Sequence, residues 1–107
     1  MHKSLAMLGV FLVAAMAAAP SSAADAVRGQ ELARSLCSNC HIVGPGEARA
    51  VVNADIPSFM AIAAKEGQSE DKIKAAIISP HPIMPNVQLT KPELDAVAAY
   101  IMSLKKP

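Results

Sequence analysis

The sequence predicts an all-α domain preceded by a removable leader. Three observations point to that fold class. Apolar residues recur at helical spacing near the C-terminus, at Leu94, Val97, Ala98, Ile101 and Leu104. Helix-start signals precede three separate stretches, at Asp25, Ser69 and Thr90. No run of alternating apolar and polar residues competes as a strand.

The leader comes first. Met1-His2-Lys3 is a short basic start, Leu5 to Ala19 is apolar throughout apart from Gly9, and Pro20-Ser21-Ser22-Ala23-Ala24 supplies small residues. This is the pattern of a secretory signal peptide, with cleavage expected after Ala24 or Ala26. The apolar run is shorter than the roughly 20 residues a membrane-spanning helix needs, which disfavours a retained anchor. Residues 1–24 are therefore read as the leader and 25–107 as one domain, expected in the periplasm without stable membrane insertion. Without Lys3 the formal charges balance, nine basic against nine acidic. Nothing there points to nucleic acid or an anionic membrane as partner.

Asp25 reads as the N-cap of a first helix running to about Leu36, with Val27, Leu32 and Leu36 on one face. Gly29 and Ala33, four apart, form a small-residue pair that lets another helix approach closely. Ile42-Val43-Gly44-Pro45-Gly46 is a turn-rich stretch, and residues 47–56 show no periodicity and predict an irregular loop. A short helix is expected over about 58–65, ending near Gly67. Ser69 caps the next, with Glu70 and Asp71 in its first turn and Ile73, Ala76 and Ile77 facing inward. Three prolines among residues 80–85 exclude helix there and stiffen the chain. Thr90-Lys91-Pro92-Glu93 is a capping box with proline tolerated in the first turn. The helix it opens runs to Lys105-Lys106, whose charges suit a C-terminal dipole.

Between the first helix and the turn lies Cys37-Ser38-Asn39-Cys40-His41. Two thiols two residues apart, followed at once by histidine, is the pattern of covalent c-type haem attachment. The two vinyl groups of a haem sit on neighbouring pyrrole rings, and one helical turn between the sulfurs spans that gap. His41 then supplies an axial imidazole nitrogen to the iron. A disulfide redox pair would want a preceding strand, and none is evident. A zinc site built from Cys37, Cys40, His41 and His81 matches no closed spacing. One haem c also answers a problem of composition. Only Phe59 and Tyr100 remain as aromatic residues after the leader, and a domain of about 83 residues usually needs a staple.

Together these residues resemble a class I c-type cytochrome, most closely the short monohaem periplasmic type of proteobacteria. Gly29 stands eight residues before Cys37, the haem box occupies 37–41, Met84-Pro85 follows in a proline-rich loop, and Ala99-Tyr100-Ile101 lies in a C-terminal helix. One departure is Ala33, where the family often carries an aromatic; the contact there is expected to be thinner, or filled by Tyr100. The resemblance implies the cytochrome c fold: three main helices plus shorter ones around one haem, with the terminal helices crossing near Gly29 and Tyr100. It also implies His41 and Met84 as the axial pair. A thioether is a soft, neutral ligand that favours ferrous iron and raises the potential.

Other residues compete for these roles. Met60 and Met102 sit in predicted helices and read as core filler. His81 is the rival ligand, though it and Met84 are too close in sequence to serve the same face of one iron; its bland reading is a loop residue near a propionate. The backbone carbonyl of Ile56 or Pro57, with Pro45 as alternative, is expected to accept from the other ring nitrogen of His41. Arg49 and Lys65 are candidates to neutralise a propionate. The expected function is electron carriage between redox proteins, by a monomer without catalysis of its own. The alternatives are a small haem subunit of a periplasmic dehydrogenase or oxidase, and a haem enzyme or gas-binding protein with a labile sixth ligand.

Overall fold

A computed structural model describes residues 9–12, 21–47, 55–79 and 84–107. The described residues form four helices: α1 (Ser21–Leu36), α2 (Phe59–Ala64), α3 (Glu70–Ile78) and α4 (Lys91–Ser103). No strand occurs among the described residues, in agreement with the all-α expectation.

Three of the helices start where their caps dictate. The Ser58 hydroxyl accepts from the Ala61 amide at 3.1 Å, and that of Ser69 from the Lys72 amide at 3.1 Å. At α4 the box is reciprocal: the Thr90 hydroxyl accepts from the Glu93 amide, and the Glu93 carboxylate from the Thr90 amide. The first helix departs from expectation. Ser21–Leu36 are helical, so Asp25 lies inside the helix and is not its N-cap. Ala23 and Ala24, strong helix formers, carry the helix back past the aspartate. The helix thus runs across the expected leader boundary.

The core joins Leu32 and Ala33 of α1 to Ala96, Val97, Ala98, Tyr100 and Ile101 of α4, with Val43, Phe59, Ala63 and Ile73 closing it. Val27 is not part of that face; it is 62 % exposed. At 100° per residue it lies well around the cylinder from Leu32, whereas Gly29, Leu32 and Ala33 share one stripe. The stripe is narrow because α4 comes very close. A Cβ on Gly29 would collide with the Ala96 carbonyl oxygen and stand 2.7 Å from the Tyr100 Cβ. Only glycine fits there. Ala33 is completely buried, so the missing aromatic leaves no exposed gap at the crossing.

Every helix packs on α4, while α1, α2 and α3 make no helix-to-helix contact with one another. Ion pairs reinforce two of these seams. Lys74 on α3 reaches Asp95 on α4 at 3.0 Å, and Arg28 on α1 lies 4.0 Å from Glu93. The fold is therefore a platform, α4, with walls that stand apart and leave a cleft between them.

Candidate functional site

The cleft has a volume of about 630 Å³ and is mainly apolar in its lining. Val97 and Ile101 of α4 form part of its wall, with Ile73 and Ile77 of α3, Ile62 of α2 and Leu36 at the end of α1. Ala76, expected to face inward, also lines it. Cys37, Cys40, His41 and Met84 all border this one space. Met60 and Met102 do not; Met102 packs instead against the core. His81 and Arg49 lie outside the described residues.

The two cysteines sit on a turn that prolongs α1. The Cys37 amide bonds to the Ala33 carbonyl at 2.9 Å, and the His41 amide to the Cys37 carbonyl at 2.9 Å. Both sulfurs are thereby carried on one helix-like turn at the cleft edge. The two sulfurs form no disulfide with each other. Burial pushes the Cys37 thiol up to about 11, so the free group stays protonated at neutral pH. A thioether at the same place has no ionised form for burial to disfavour.

Three consecutive residues after the turn are each tied to a different partner. His41 Nδ1 donates to the Pro57 carbonyl oxygen at 2.6 Å. The Ile42 carbonyl accepts from the Phe59 amide at 2.9 Å, and the Val43 carbonyl from the Tyr100 hydroxyl at 2.6 Å. Because a carbonyl can only accept, the Pro57 contact fixes the proton on Nδ1 and leaves the Nε2 lone pair for a ligand. Of Ile56 and Pro57, both of which line the cleft, it is Pro57 that receives this bond.

Phe59 adds a contact that the sequence reading missed. Its ring lies 5.3 Å from that of His41 and 6.5 Å from that of Tyr100, both tilted. The packing limits how the imidazole can turn. Its signal was available, since Phe59 is one of two aromatics beyond the leader. On the other side of the imidazole's loop, Arg34 pairs with Glu47 at 2.8 Å and fastens the 44–47 turn to α1.

The donor set is two neutral sulfurs on one turn, an oriented imidazole and a thioether, around a mainly apolar space. That chemistry fits a porphyrin-bound iron and no hard cation, which would want oxygen ligands.

The class follows from fold and site together: a small all-α carrier of covalently attached haem c. A family model for cytochrome c matches residues 26–105, and the chain belongs to that family. It is similar to cytochrome c-552 of Bradyrhizobium diazoefficiens, with 42 % identity over 103 residues covering 94 % of this chain and 97 % of the relative. No solved structure gives a significant match. The protein is accordingly an electron carrier and not an enzyme, with Cys37 and Cys40 spaced as the thioether-forming pair of its haem.

Proposed function

We propose that the protein is a periplasmic shuttle whose haem iron is held between His41 Nε2 and Met84 Sδ. The observation that carries this reading is the shared cleft: Met84 lines it with Cys37, Cys40 and His41, and the other two methionines beyond the leader do not. Haem supplies a one-electron couple at its iron. The chain's residues do the rest. His41 is held in one tautomer by Pro57, and Met84 is stiffened by Pro85 at its C-terminal side. With both axial positions filled by protein, no vacancy remains for a substrate. Cys37 and Cys40 lie at the cleft's edge, where a partner can approach the macrocycle for a brief, small-interface encounter.

Export belongs to the same proposal. Among the described residues no helix is long and apolar enough to cross a membrane. The match to the relative covers so much of this chain that it reaches into the apolar run of residues 5–19. Residues 1–24 are removed on export, and the mature domain works as a monomer between a donor and an acceptor.

The mass of the protein recovered from the periplasm tests this. It should equal residues 25–107, or 27–107, plus one haem, and the reduced protein should not change its spectrum under carbon monoxide at neutral pH. Ready carbon monoxide binding would contradict a closed, doubly ligated iron. Co-purification at fixed stoichiometry with a larger redox protein would contradict the free shuttle.

A further inference from the structure

The imidazole of His41 is only as fixed as the carbonyl it bonds to. Pro57, which offers that carbonyl, is exposed and stands ahead of α2, so its own side chain has little packing to hold it. The chain just after it is anchored instead. Phe59 opens α2 and is only 4 % exposed.

That anchor has several attachments. The Phe59 amide donates to the Ile42 carbonyl at 2.9 Å, on the residue directly after His41. Its ring meets the His41 ring at 5.3 Å with a tilt of 48°, and the Tyr100 ring of α4 at 6.5 Å with a tilt of 58°. Ser58 is tied into the same helix: its hydroxyl accepts from the Ala61 amide and its carbonyl from the Ile62 amide at 3.0 Å. Two hydrogen bonds therefore clasp the 57–59 and 41–42 segments together, one given by His41 to Pro57 and one given by Phe59 to Ile42. The Phe59 ring links that clasp to the platform helix.

We infer that Phe59 is a positioning residue for the axial imidazole, holding the Pro57 carbonyl against His41 Nδ1 and thereby setting how basic the iron's ligand is. This rests on the reading of His41 as an axial ligand and deepens it. A firm bond from Nδ1 makes the imidazole a stronger donor, which favours ferric iron and lowers the potential; a loosened bond raises it. Phe59 also lines the cleft. Admitting water there acts in the opposite direction, because solvent favours the more highly charged ferric haem. The sign of the change thus separates positioning from loss of apolar bulk.

The test uses the haem-loaded protein as wild type, Phe59→Leu and Leu32→Ala. Leu32 is a buried core residue away from the cleft, so its variant reports what destabilisation alone does. In reduced Phe59→Leu the His41 Nδ1 hydrogen, followed by proton NMR in heavy water, should exchange about tenfold faster than in Leu32→Ala. The midpoint potential of Phe59→Leu should lie above that of wild type. Exchange no faster than in Leu32→Ala, or a potential at or below the wild-type value, would overturn the inference. Wild type alone gives a second reading that needs no variant to fold. Its Phe59 amide and His41 Nδ1 hydrogen should be equally protected once intrinsic rates are allowed for, because one clasp opens both; a ring hydrogen far less protected than the amide would also overturn it. His41 ring hydrogens lacking the upfield ring-current shift of an imidazole on haem iron would instead overturn the parent reading.

Discussion

The Tyr100 hydroxyl and the Val43 carbonyl, 57 positions apart in the chain, meet in a buried hydrogen bond of 2.6 Å. This bond joins the C-terminal helix to the strap that carries His41. It lies beside Gly44, whose added Cβ would come within 3.0 Å of the same hydroxyl, so the strap has little room to shift. Tyr100→Phe leaves a buried carbonyl without its partner and should cost about 1–2 kcal/mol in denaturant unfolding.

The same residue gives an alkaline signature. Burial, and next the negative charge of Glu47, hold the Tyr100 phenol above its usual value of 10.0. A raised folded-state value means stability present below pH 10.0 and lost as pH rises through the folded value. Melting temperature should therefore fall more steeply above that pH in wild type than in Tyr100→Phe. Parallel curves would show that the phenol is not buried against Val43.

Gly29→Ala separates crossing from propensity. On an exposed helix the change would stabilise by up to about 1 kcal/mol. Here the new methyl meets the Ala96 backbone, and overpacking should cost on the order of 1–3 kcal/mol in urea titration. A stabilised variant would mean that α1 and α4 do not cross at this residue.

The acid limb is set by two carboxylates on α4. The Thr90 amide, helped by the Thr90 hydroxyl, lowers Glu93 below its usual 4.5, and the Lys74 ammonium lowers Asp95 below its usual 3.8. Lowered folded-state values contribute stability above those ordinary values that is lost as pH falls through the folded ones. Glu93→Gln should lower the melting temperature at pH 7 and flatten its decline below pH 4.5. Thr90→Ala should cost about 1 kcal/mol at neutral pH.

Much of this was legible in the sequence because it depends on neighbours in the chain. The caps at Ser69 and Thr90 and the Cys37–His41 box are local signals, and local chemistry decides them. The first helix was less legible. It reaches back past Asp25 through two alanines, and its inner face is set by how closely α4 approaches, which favours Gly29 and Ala33 over a bulkier residue. Hydrophobicity alone promoted Val27, which faces solvent. The Pro57 acceptor was reachable because an axial histidine needs one. Phe59 against His41 depends on how separate elements come together, and no spacing rule encodes that.

We propose that His41 and Met84 share one iron. This is tested most directly by the absorbance of the oxidised, haem-loaded protein in wild type and Met84→Ala. Wild type should show a low-spin spectrum with the weak red-end band of a sulfur-to-ferric-iron bond, and Met84→Ala should lose that band. A high-spin wild type, or a band indifferent to Met84, would contradict the assignment and point to His81 or to an open iron site with chemistry of its own.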